Sequence, residues 1–142
     1  MKTSIENILL IDDDSAVTFV YEFSIKRIDP NIKKAIKING KQAIDYLNEL
    51  NDNGQCPPNL ILLDINMPIM NGWEFMEEYD QLPLKFRQNA VLIMASSSSN
   101  IDDIQKSKEN ENIHDYLIKP IDMEQVFEKY QKIVASGFMK TA

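Results

Sequence analysis

The sequence predicts an α/β protein: a doubly wound parallel sheet with helices on both faces. Three observations carry that prediction. Runs of consecutive large apolar residues (Ile8-Leu-Leu-Ile11, Leu60-Ile-Leu-Leu63, Ala90 to Ala95) read as strands buried on both faces. Segments with helical apolar spacing alternate with them, the pattern of right-handed strand–helix–strand units. Each run also stops on polar or charged residues, and in open sheets of this kind ligands bind beyond the carboxyl ends of the strands.

The elements follow in chain order. Asn7–Ile11 is the first strand, ending in Asp12-Asp13-Asp14. A helix starts at Ser15, with Phe19, Val20, Phe23 and Arg27 falling on one side, and Asp29-Pro30-Asn31 closes it. Residues Ile32 to Ile38 alternate apolar and basic types only loosely, so this strand belongs near an edge. Asn39-Gly40 opens a second helix carrying Ala43, Ile44, Leu47 and Leu50 on one side, and Asn51 to Asn59 is a loop.

The strand Leu60–Leu63 ends on Asp64, and Pro68, Asn71 and Gly72 turn the chain. On this stretch alone Asp64 reads equally well as a turn-maker and as a reactive carboxylate. A helix from about Gly72 points Phe75, Met76, Tyr79 and Leu82 inward. The strand Ala90–Ala95 runs into four serines, Ser96 to Ser99. The helix expected over Ile101–Asn110 has only Ile101 and Ile104 for core contacts among many charges, so its packing energy should be low, as in elements that move. Asp115–Ile118 is a short fifth strand ending at Lys119-Pro120. The last helix, from Asp122 or Met123, buries Val126, Phe127, Tyr130, Ile133 and Val134 and stops at Gly137.

Composition narrows the function. At 142 residues the chain is long enough for one domain with a proper core. A net charge of −7 leaves no surplus of cations for phosphates, which argues against direct nucleic-acid binding. The single cysteine, Cys56, excludes an intrachain disulfide, no apolar run approaches the ~20 residues of a membrane span, and no signal peptide is visible. A cytoplasmic location is expected.

If the strand ends converge, Asp12, Asp13, Asp64, Ser96 and Lys119 share one rim. Clustered carboxylates repel one another and call for a cation; hard oxygen donors favour Mg²⁺, which typically takes one or two carboxylates together with waters and phosphate oxygens. An aspartate can be the nucleophile in phosphoryl transfer, a reaction that needs mainly positioning and positive charge. Mg²⁺ and a lysine would supply that charge, and a hydroxyl such as Ser96 would hold a phosphoryl oxygen. One histidine, His114, and no nucleophile–His–acid pattern leave no basis for a hydrolase triad. Read alone, Asp12-Asp13-Asp14-Ser15 is also a plain N-cap with first-turn acids favoured by the helix dipole.

The string Ile8-Leu-Leu-Ile-Asp12-Asp13, then Leu62-Leu-Asp64-Ile-Asn-Met67-Pro68 with Asn71-Gly72, then Ser96, then Tyr116-Leu-Ile-Lys119-Pro120 resembles the receiver domains of two-component response regulators over about residues 6–136. The resemblance implies a flavodoxin-like five-stranded sheet of order 2-1-3-4-5 and a single stand-alone receiver over residues 1–142 with no output domain. It implies Asp64 as phosphoacceptor, with Asp12, Asp13, Asp64 and the Asn66 backbone carbonyl around Mg²⁺. It further implies Lys119 pairing with the phosphoryl group before a cis Pro120, Ser96 as the switch hydroxyl and Tyr116 as an aromatic switch. The phosphoryl donor would be a sensor histidine kinase or a histidine phosphotransfer protein, and a downstream protein would read the result. Catalysis would extend only to the chain's own phosphorylation and dephosphorylation, and whether it forms a homodimer is left open. The long Asn51–Asn59 loop and the extra residues before Ala90 are more similar to stand-alone regulators related to phytochrome partners. An alternative resemblance, of Asp12-Asp13-Asp14-Ser15 to haloacid-dehalogenase-type phosphatases with Asp12 as nucleophile, leaves Asn66-Met-Pro68 unexplained.

Overall fold

In the computed structural model, which describes residues 5–138, five parallel strands form one sheet of order β2-β1-β3-β4-β5. The strands are β1 (Asn7–Ile11), β2 (Lys33–Lys37), β3 (Leu60–Leu63), β4 (Val91–Ser96) and β5 (Asp115–Ile118). The helices are α1 (Ser15–Ile28), α2 (Gly40–Asp52), α3 (Gly72–Tyr79), α4 (Leu84–Arg87), α5 (Ile101–Glu109) and α6 (Met123–Ala135).

The period-two alternation of each strand divides the core into two layers. Leu9, Ile11, Ile61, Leu63, Leu92 and Met94 face α2 and α3, where Ala43, Ile44, Leu47, Phe75, Met76 and Tyr79 pack. Ile8, Leu10, Leu60, Leu62, Val91 and Ile93 face α1 and α6, against Tyr21, Ile25, Val126, Tyr130 and Ile133. Because β3 lies between β1 and β4, all of Leu60–Leu63 is sealed from solvent, as its unbroken apolar run predicts. The loosely alternating β2 is an edge strand, as expected.

Three expectations need correction. The side of α1 carrying Phe19, Val20 and Phe23 faces outward, with exposures of 68%, 58% and 57%, and the buried residues are Thr18, Tyr21 and Ile25. This helix has apolar residues on two sides, and the side that packs on the sheet carries Tyr21 and Ile25, with Asp14 capping its start. On α5, Ile101 is 78% exposed and makes no core anchor; the buried residue there is Ser107. The strand before the serines runs through Ser96 instead of ending at Ala95.

The extra residues before β4 form the short helix α4, which Phe86 holds down. The expected stop of α6 is present: Gly137 has φ +75°, and Phe138 N–H donates back to the Ile133 carbonyl at 2.8 Å.

Candidate functional site

The strand order reverses between β1 and β3, since the chain leaves β1 for one flank and β3 for the other. Asp12 and Asp64 are the first residues past those two strands. Both backbones are held by continuations of the sheet ladder: Asp12 N–H donates to the Lys37 carbonyl at 3.0 Å and Asp64 N–H to the Ile11 carbonyl at 2.9 Å. The ladder therefore delivers two carboxylates, 3% and 7% exposed, to one crevice.

Asp13, which is exposed, completes the group. One oxygen from each of Asp12, Asp13 and Asp64 lies within 4.8 Å of the others, so the three can converge on one cation. Lys119 Nζ reaches in from the end of β5, 2.6 Å from Asp12 Oδ2 and 3.5 Å from Asp64 Oδ1. Asp12 Oδ1 accepts from Asp14 N–H, and Asp64 Oδ1 from its neighbour Ile65 N–H. Asp14 turns away to cap α1, accepting from the amides of Ala16 and Val17.

One ammonium does not balance three acids. Burial first, and then the negative charge of Asp12, push the Asp64 carboxyl up to about 6, against the opposing pull of Lys119. A site of hard oxygen donors with excess negative charge fits a divalent cation, and the residues present would hold one.

The loop after β3 is shaped to this end. Gly72 N–H donates to the Ile65 carbonyl at 2.7 Å, and a Cβ on Gly72 would meet the Asp64 carbonyl oxygen at 2.5 Å. Asn71 then caps α3 in a reciprocal pair with Glu74. Asn66, with an exposed side chain, lies on the turn directly after Asp64 and Ile65.

Ser96, at the end of β4, is fully buried; its carbonyl accepts from Lys119 N–H at 2.9 Å, and its Oγ accepts from Ser98 N–H at 3.1 Å. The peptide bond between Lys119 and Pro120 is cis. Tyr116 is half-buried and donates its hydroxyl to the Ser98 carbonyl at 2.7 Å. The structure thus brings Asp12, Asp13, Asp64 and Lys119 into direct company, places Ser96 on the same rim, and sets Tyr116 one loop away.

Sequence reasoning missed the groups behind that loop. Ser98 Oγ donates to Asp103 Oδ2 at 2.8 Å, Trp73 Nε1 donates to Asp103 Oδ1 at 3.0 Å, and Lys106 Nζ lies 4.7 Å from the centre of the Trp73 ring. A tryptophan at helical spacing and an acid in a first helical turn carry no mark of this pairing in one dimension. His114 is structural, its Nδ1 accepting from Leu92 N–H at 3.1 Å.

A parallel sheet with this order, carrying an acid trio and a lysine at its switch point, is the architecture of a phosphorylatable signalling domain. The chain belongs to the response regulator receiver domain family, whose model matches residues 8–131. Among solved structures it is similar to a two-component response regulator from Cytophaga hutchinsonii, with TM-score 0.82 and 30% identity over 94% of this chain and 99% of that one. Response regulator Rcp1 of Synechocystis sp. is 31% identical over 127 residues, covering 89% of this chain and 84% of Rcp1. A Mn²⁺-bound form of Rcp1 superimposes with TM-score 0.70 and 28% identity, over 96% of each chain. Transcriptional regulatory protein MalR of Bacillus subtilis is 33% identical over 126 residues, 88% of this chain but 47% of MalR. The haloacid-dehalogenase reading has no support: the matches are receivers, and Asp12 is the acid that Lys119 holds most closely.

Proposed function

We propose that Asp64 accepts a phosphoryl group from a phosphohistidine on a sensor histidine kinase or histidine phosphotransfer protein, with Mg²⁺ held by Asp12, Asp13, Asp64 and the Asn66 carbonyl. The observation that carries this reading is the convergence of three carboxylates and Lys119 at the switch point. In the step, the P–N bond of phosphohistidine breaks as an Asp64 oxygen bonds to phosphorus, and the imidazole leaves with the electron pair. The metal, when bound, neutralises charge on the transferring oxygens.

The chain's own residues do the rest. Ile65 N–H fixes one Asp64 oxygen, and that oxygen also lies nearest Lys119. Lys119 turns from Asp12 to a phosphoryl oxygen, and the Ser96 hydroxyl, whose oxygen already accepts from Ser98, donates its proton to another. A phosphoryl group adds about −2 of charge. Drawing Ser96 inward pulls Ser98, and with it the acceptor of Tyr116 and a donor to Asp103, so α5 and the β5–α6 face change for a downstream protein partner.

This reading makes the chain a cytoplasmic receiver that catalyses only its own phosphorylation and slow dephosphorylation. No helix among the described residues is long and apolar enough to cross a membrane. Incubation with acetyl phosphate and Mg²⁺ followed by intact mass spectrometry tests it: one phosphoryl group is expected on the wild-type chain and none on Asp64→Asn. Full labelling of that variant would remove Asp64 from the role.

A further inference from the structure

Tyr21 stands outside every role given above. Its side chain is 6% exposed and packs in the α1–α6 layer against the sheet. A phenylalanine would meet the same apolar surroundings. The hydroxyl is buried and has no hydrogen-bond partner among the described residues. Such groups are rare in folded proteins, because losing water without gaining a partner is unfavourable, and each one asks for an explanation.

Two features say where this hydroxyl belongs. Helical side chains lean toward the N-terminus of their helix, so Tyr21 carries its hydroxyl back toward the end of β1, where Asp12 begins the turn into α1. Tyr21 also lines one cavity of about 450 Å³ together with Val17, Lys119, Pro120 and Ile121, so its ring and the site lysine border the same space. The electrostatics agree: burial and then the charges of Asp12 and Asp64 raise the phenol's pKa, so it stays a protonated donor.

Asp12 is 3% exposed, and its oxygens are held by Asp14 N–H and by Lys119 Nζ. When Lys119 turns to a phosphoryl group, Asp12 Oδ2 loses a donor at a buried position. We propose that Tyr21 is a positioning residue of the phosphorylated state, its hydroxyl donating to Asp12 once Lys119 has left Asp12 for the phosphoryl group. A carboxylate offers about four lone-pair sites, so the phenol and a metal can share Asp12. No proton or covalent bond is transferred; one acceptor passes from ammonium to phenol. The hydroxyl is then without a partner before phosphorylation and with one after it, and its removal has opposite effects on the two states. The proposal rests on Asp64 being the phosphoacceptor.

The test uses the full chain and its Tyr21→Phe variant, titrated with beryllofluoride as the phosphoryl mimic at saturating Mg²⁺ and followed by fluorine NMR, alongside thermal midpoints without the mimic. The expected result is a mimic affinity weaker by about fivefold or more in Tyr21→Phe, the size of one hydrogen bond, with a midpoint equal to or above wild type. Unchanged or tighter mimic binding overturns the proposal. A lowered midpoint overturns it as well, because the hydroxyl would then have a partner before phosphorylation. If the wild-type chain binds no mimic, or Asp64→Asn binds it equally, the phosphoacceptor reading fails and takes the proposal with it.

Discussion

Trp73 Nε1 donates to Asp103 Oδ1 at 3.0 Å and so joins α3 to α5. The bond matters because α5 has little else to hold it: Ser107 is its one buried residue, and Ile101 points into solvent. The other oxygen of Asp103 accepts from Ser98, so one carboxylate ties the helix both to α3 and to the loop that follows Ser96. The weak apolar anchoring read from the sequence is therefore supplemented by a polar clasp.

Replacing Asp103 with Ala should open that clasp. Two hydrogen bonds at a partly buried position, each worth about 1 kcal/mol net, set the loss of global stability at about 2 kcal/mol or less. Amides of residues 101–109 should exchange with deuterium faster than in wild type, with β1 and β3 unchanged. Unaltered exchange in α5 would show that the helix is held by something else.

The raised pKa of Asp64 gives stability a definite pH dependence. Its carboxyl titrates near 3.8 when unperturbed and at about 6 in the fold, so between these values the folded chain binds more protons than the unfolded one. Its contribution is favourable below pH 4 and is lost as pH rises through 6. In metal-free buffer, Asp64→Asn should therefore be more stable than wild type at pH 7.5, by about 1–3 kcal/mol, and the gain should vanish near pH 4. Urea unfolding across that range measures it.

Mg²⁺ should raise the thermal midpoint of the wild-type chain by mass action. The effect should weaken below pH 6, where protons compete for Asp64. Because Asp13 is exposed and belongs to the acid group, Asp13→Asn should change metal-free stability by no more than about 0.5 kcal/mol while removing most of the Mg²⁺-induced shift. A full shift in this variant would place the cation elsewhere.

Gly72→Ala should be costly. A Cβ there would lie 2.5 Å from the Asp64 carbonyl oxygen and 2.9 Å from Ile65 Cα, both backbone atoms that cannot step aside without moving the end of β3. A loss of about 2–4 kcal/mol is expected, accompanied by weaker Mg²⁺ binding. Calorimetry with and without the metal separates the two effects.

The fold was legible in the sequence because its strands are written as unbroken apolar runs, and a fully buried strand has no polar face to confuse the reading. The acids after Ile11 and Leu63 were legible for a related reason: polar residues abutting such runs have nowhere to lie but the rim. Helix α1 carries apolar residues on two sides, so spacing alone does not say that Tyr21 and Ile25, and not Phe19, Val20 and Phe23, pack on the sheet. The Trp73–Asp103 bond joins residues separated by 30 positions on two helices, and no local pattern announces it. Tyr21 carries no mark in the sequence, because an aromatic on a packing helix is ordinary and only the fold leaves its hydroxyl without a partner among the described residues.

The amide of Asp64 is bonded to the Ile11 carbonyl, and the four residues before it are among the most deeply enclosed in the chain. Backbone in such a place opens only when the whole molecule does. Under the proposed function, a phosphoryl charge on Asp64 would land on a fixed mount and find no slack in β3 itself. Any displacement would travel sideways; the sheet ladder is closed on both flanks, but on the β4–β5 side its rim continues into a serine loop and a helix with one buried residue. In that reading the domain would be a one-sided lever, stiff at the acid cluster and compliant at the serine loop and α5.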